Sequence, residues 1–112
     1  MYKLIRDNVP ALMAEAKQPC NYAAIQSADL YVAALREKLI EEVNEFLSPG
    51  QPSLEEIADI ITVLVAFTEF LPGNLKEVYE QKLASHGGFE KRLLGFFPDK
   101  PNVDEGGQAN GN

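Results

Sequence analysis

Ser53-Leu54-Glu55-Glu56-Ile57-Ala58-Asp59-Ile60-Ile61-Thr62-Val63-Leu64-Val65 opens as a helix start and continues as an apolar run. Ser53 followed three residues later by Glu56 has the spacing of a capping box, in which serine and glutamate each satisfy the other's free backbone amide. The run behind them is apolar on all sides, which predicts a helix buried around most of its circumference and ending at Leu71, before Pro72-Gly73. Asp59 stands inside that run. An ionised carboxylate in such surroundings is costly unless it is paired or bound to a cation. Either Lys3, Arg6 or Lys82 must reach it from elsewhere in the fold, or a metal must.

Reading outward, Ala28 to Leu47 repeats apolar residues at helical spacing, with Leu35, Leu39, Val43, Phe46 and Leu47 on one stripe and Ser27 placed to cap it. Ser48-Pro49-Gly50-Gln51-Pro52 ends that helix. Asn74 with Glu77 starts a third long helix, and Gly87-Gly88 supplies a left-handed exit. Near the N-terminus, Asp7, Asn8 and Pro10 mark a short helix reaching about Lys17. Phe89 to Phe97 is an amphipathic or extended piece able to pack back over the helices. The predicted fold is all-α: an antiparallel bundle of about four helices in one domain over residues 1–97. Residues 98–112 are rich in Gly, Pro and Asn, and they predict a disordered tail.

Composition removes several classes of function. The net charge of −7 argues against a nucleic-acid partner, whose binding depends on lysine and arginine neutralising phosphates. No apolar run is long enough to span a membrane, and no secretory-type segment is visible, so the expected location is cytoplasmic. Cys20 is alone, which rules out an internal disulfide and a zinc site of cysteine pairs. His86 is the only histidine, too few for a di-iron carboxylate centre with two Glu-x-x-His pairs.

The acidity is local. Residues 37 to 59 hold seven acids against Lys38 alone, a balance of −6 in 23 residues. Glu41, Glu42 and Glu45 share one face of the first long helix, with Glu42 nearest the apolar stripe; Glu56 and Asp59 are neighbours on the second. For each the plain structural role competes with the functional one: a capping glutamate at Glu56, a solvated face at Glu41 and Glu45, a buried ion pair at Asp59. Two antiparallel helices joined by one loop would bring both sets face to face. An all-oxygen pocket of that kind suits Mg²⁺ or Mn²⁺, held together with waters and phosphate oxygens.

Glu41-Glu42-x-x-Glu45 followed by Glu56-x-x-Asp59 resembles the signature of the all-α nucleotide pyrophosphohydrolase superfamily that contains MazG, the dimeric dUTPases and phosphoribosyl-ATP pyrophosphohydrolase. Lys3-Leu4-Ile5-Arg6-Asp7-Asn8-Val9-Pro10 resembles the KLVRDKIP opening of a MazG-like branch of small stand-alone proteins, and Gly87-Gly88-Phe89 its RGGF element. The likeness spans about residues 2 to 94. It departs from the pattern in the short ten-residue interval between Glu45 and Glu56, and in His86, which stands where an arginine usually precedes the glycines.

The resemblance implies Mg²⁺-dependent hydrolysis of a nucleoside triphosphate or related nucleotide between its α and β phosphates, giving a monophosphate and pyrophosphate. It implies Glu42, Glu45, Glu56 and Asp59 as metal ligands. Glu41 is then a supporting carboxylate or water-activating base, and the catalytic parts of Glu41 and Glu42 are interchangeable at this level. Lys3, Arg6 and Lys82 are candidates for phosphate contact, and a homodimer or higher homo-oligomer is expected. Tyr2, Tyr31, Phe67 or Phe89 could stack on a nucleobase, but aromatic residues at helical spacing are more often core. The competing readings are phosphoribosyl-ATP hydrolysis, which the Lys3–Pro10 element disfavours, and a non-catalytic acidic helical module that binds a metal or a protein.

Overall fold

The computed structural model describes residues 2–50 and 52–98. The fold is all-α: the described residues form four α-helices and a 3-10 turn, with no strand among them. The chain divides into two compact units, one running to Leu75 and the other beginning at Lys76. The expectation of disorder over 98–112 falls, beyond Pro98, outside the described residues.

In the first unit, α1 is Val9–Glu15, with Pro10 in its first turn. Its end differs from the expected Lys17 because Lys17 itself turns left-handed, at φ 61°, and stops the helix. Helix α2, Ala28–Leu47, has the expected bounds, and the Ser27 hydroxyl caps it by accepting from the Leu30 amide at 3.2 Å. Helix α3, Leu54–Phe67, starts at the capping box. It ends before Leu71: Thr68–Phe70 tightens into a 3-10 turn, and the Thr68 hydroxyl donates to the Val65 carbonyl. Helices α2 and α3 pack against each other as a hairpin. Tyr31, near the start of α2, meets Phe70 just after α3 edge to face at 5.7 Å, as antiparallel packing requires.

The core of this hairpin is small. Leu35 is 1% exposed and Val63 is buried, while Leu39, Val43 and Phe46 are half-buried and Leu47 is open to solvent. The expectation that α3 is buried around most of its circumference is therefore corrected: Ile57, Ile61, Leu64 and Val65 are all exposed. A run with apolar residues on every side says that a helix wants cover, not which surface provides it.

Helix α4, Leu75–His86, begins directly after Asn74 and belongs, from Lys76 on, to the second unit. Gly87 ends it at φ 78°, and its amide donates to the Leu83 carbonyl at 2.8 Å, the left-handed exit expected there. Beyond it, Phe89, Leu93, Leu94, Phe96 and Phe97 are nearly fully exposed. No described helix is long and apolar enough to cross a membrane.

Candidate functional site: the carboxylates of the helical hairpin

The capping box fixes where α3 places its acids. The Ser53 hydroxyl accepts from the Glu56 amide and the Glu56 carboxylate accepts from the Ser53 amide, both at 3.2 Å. One turn on, Asp59 is half-buried and ion-paired: Arg6 Nη1 lies 3.2 Å from Asp59 Oδ1, with the Asp59 side chain 41% exposed. The neutraliser that the sequence demanded is thus Arg6, and the deep burial expected of Asp59 is not found.

On α2, Glu42 is buried at the edge of the core, where its position beside the apolar stripe put it. It is sustained there by Lys38, whose ammonium is 3.3 Å from Glu42 Oε2 and 3.2 Å from Glu41 Oε1. The Lys3 ammonium approaches the other Glu41 oxygen at 3.0 Å. Glu45 is exposed, and its side chain has no ion pair among the described residues. The sequence reading thus found Glu42, Lys3 and Arg6 as charged groups of one region but passed over Lys38. The signal was present: a lysine three and four residues before two glutamates lies one turn below both.

The electrostatics follow from these contacts. Burial works to lower the Lys38 pKa, but the hydrogen bonds and negative charges of Glu41 and Glu42 outweigh it and leave the ammonium raised above the ordinary lysine value. The hydrogen bond from Lys3 holds the Glu41 carboxyl below its usual range; partial burial opposes this, and Lys38 adds to it.

Carboxylate oxygens are the hard donors that Mg²⁺ takes, so the donor chemistry of Glu42, Glu45, Glu56 and Asp59 fits the metal that the resemblance implies. Their arrangement fits less well. Among the described residues no three acids, histidines or cysteines gather into a metal-holding group. Glu56 is engaged in capping, Glu42 with Lys38, and Asp59 with Arg6. Ligation by this set requires those partners to be exchanged.

Lys82 belongs to the second unit, where it lines a hollow at the end of α4. His86 Nδ1 is hydrogen-bonded to the neighbouring Ser85 hydroxyl at 2.7 Å. Comparison of the chain with protein-family models, with curated proteins and with solved structures finds no match.

Proposed function

We propose that the chain hydrolyses a nucleoside triphosphate, or a related nucleotide, at the α–β phosphoanhydride, releasing a nucleoside monophosphate and pyrophosphate with Mg²⁺ or Mn²⁺ as cofactor. One observation carries this reading. The Lys3–Pro10 element and the acidic helices, distant in sequence, meet in space through Lys3 on Glu41 and Arg6 on Asp59. Cations resting on carboxylates are compatible with a site for a metal-bound polyphosphate, since both groups have a second partner to turn to. The ammonium and guanidinium can pass to phosphate oxygens and the carboxylates to the metal.

When bound, the metal would neutralise phosphate charge and lower the pKa of a bound water. Glu42, Glu45, Glu56 and Asp59 would hold it, with Glu41 accepting the water proton. The exposed apolar residues of α3 support a homodimer or higher homo-oligomer, because a face of that kind normally marks an interaction surface. The lone cysteine agrees with a cytoplasmic location.

The deciding experiment is pyrophosphate release from a panel of canonical and modified nucleoside triphosphates and phosphoribosyl-ATP, in Mg²⁺ and in chelator. Release that depends on the metal supports the reading, and preference for phosphoribosyl-ATP would assign the narrower activity. Absence of release from every substrate would end it. The engagement of Glu42, Asp59 and Glu56 with residues of their own chain favours one second reading, a non-catalytic acidic helical module. The same assay separates the two.

A further inference from the structure

A lysine placed three and four residues before two glutamates stands one helical turn below both, so a single ammonium can serve two carboxylates. Lys38 does so: its Nζ lies 3.2 Å from Glu41 Oε1 and 3.3 Å from Glu42 Oε2. Lys3 takes the other Glu41 oxygen at 3.0 Å. Two ammoniums thus balance two carboxylates, and three of the four carboxylate oxygens are engaged. The pair of Lys38 with Glu42 is the enclosed part of this chain of charges, with side chains 15% and 9% exposed, whereas the Arg6–Asp59 pair is open.

A cation that bridges two neighbouring carboxylates does for their charge what a metal ion between them would do. The two cannot share the place. Mg²⁺ takes carboxylate oxygens at about 2 Å, so its entry between Glu41 and Glu42 drives the Lys38 ammonium out. An ammonium with so little access to water then needs another anion, because an enclosed charge that loses its partner is costly. A bare divalent cation brings no such anion. A polyphosphate carrying the cation brings both at once, metal for the carboxylates and phosphate oxygens for the ammonium.

We propose that Lys38 is an internal counter-ion that withholds Glu41 and Glu42 from free divalent cations and releases them to a cation arriving with a polyphosphate. This is a regulation of the carboxylate site of the proposed hydrolysis, and it rests on that reading for the identity of the metal and the anion. In the free chain Lys38 is a positioning residue that acts through the two carboxylates. Lys3 supports it from the solvent side, where its own side chain is 54% exposed and exchange costs less. The consequence is an order of loading: metal and polyphosphate enter together, and neither occupies the hairpin well alone.

The probe is Mn²⁺, which shares the oxygen preference of Mg²⁺, and the paramagnetic resonance of its aquo ion reads the unbound fraction in a titration of the full chain without nucleotide. Lys38→Met should bind Mn²⁺ at least about tenfold more tightly than the parent, a coupling of ordinary size between two ligands. Lys38→Arg, which keeps the charge, should stay at the parental affinity, and Lys38→Met with Glu42→Gln should lose the gain. A lysine with a structural role alone would lower stability without raising metal affinity. Lys3→Met, which opens an exposed pair, should tighten binding by roughly two- to fivefold; it decides the question if circular dichroism finds Lys38→Met unfolded. Calorimetry with inorganic tripolyphosphate should show the parent binding it at least about tenfold tighter in Mn²⁺ than in chelator. Equal Mn²⁺ affinity in the parent and the deciding variant, or tripolyphosphate binding indifferent to the metal, would overturn the role. Pyrophosphate release by the parent separates this from the proposed activity: metal-dependent release with unchanged Mn²⁺ affinities sinks only the counter-ion, and tighter Mn²⁺ binding in the variants without release sinks only the hydrolysis.

Discussion

The Lys38 ammonium sits 3.3 Å from Glu42 Oε2, one helical turn apart on α2, with the two side chains only 15% and 9% exposed. It is the most enclosed ion pair of the described residues. Removing Lys38 leaves Glu42 buried and uncompensated. Lys38→Met should therefore cost about 3 kcal/mol in urea unfolding, while Lys38→Met with Glu42→Met should recover most of it. A single-mutant cost below about 1 kcal/mol would mean that water reaches the pair freely.

Asp59 and Arg6 form a far more open pair. Asp59→Asn should change folding stability by less than about 1 kcal/mol, as exposed pairs do. Pyrophosphate release should fall by roughly a hundredfold or more, since even the outer partners of metal ligands commonly matter by up to that factor. Parental turnover in the folded mutant would remove Asp59 from the proposed site.

Glu56 has two roles that substitution can divide. Glutamine closes a capping box as glutamate does, so Glu56→Gln should stay within about 0.5 kcal/mol of the parent while losing activity, whereas Ser53→Ala should cost about 1 kcal/mol and keep activity. Thermal melts and turnover on both variants read this out. An active Glu56→Gln would leave that residue a helix cap alone.

Stability should depend on pH through the Lys3–Glu41–Lys38 cluster. Glu41 has a folded pKa lowered first by Lys3, so its contribution is present above the unfolded glutamate value and disappears as pH falls through the lowered one. Lys38, raised by Glu41 and Glu42 against the effect of burial, contributes below the unfolded lysine value and is lost as pH rises through the raised one. Urea midpoints measured across pH should show both limbs, and Glu41→Gln should flatten the acid limb. An identical acid limb in that variant would exclude Glu41 as its source.

What was legible in the sequence was local. The capping box, the limits of α2 and the glycine exit of α4 each depend on residues a few positions apart, and each is found where its spacing put it. The side chain that neutralises Asp59 lies 53 positions away, so the sequence could offer three candidates and no choice among them. Lys38 was missed for the opposite reason: it was counted as a lone base in an acidic stretch when its distance from Glu41 and Glu42 was the informative quantity. The extent of α3 and its exposure were misjudged because continuous apolar residues report a demand for cover while Thr68 sets where the helix tightens. The metal, the substrate and the activity depend on molecules beyond this chain, and no local rule reads those.

The short connection between α2 and α3 also sets an order of assembly. Closing segment 48–53 brings the two helices together at small entropic cost, while seating Lys3 on Glu41 and Arg6 on Asp59 closes loops of 38 and 53 residues. Short loops close at lower entropic cost than long ones, so the expected order has the acidic hairpin forming before Lys3 and Arg6 dock. Of the cations paired with these carboxylates, only Lys38 is carried on the same helix as its partners. Its place one turn below Glu41 and Glu42 makes it a folding counter-ion as well as a native one, and the late docking of residues 3–6 becomes the step that salt should influence most.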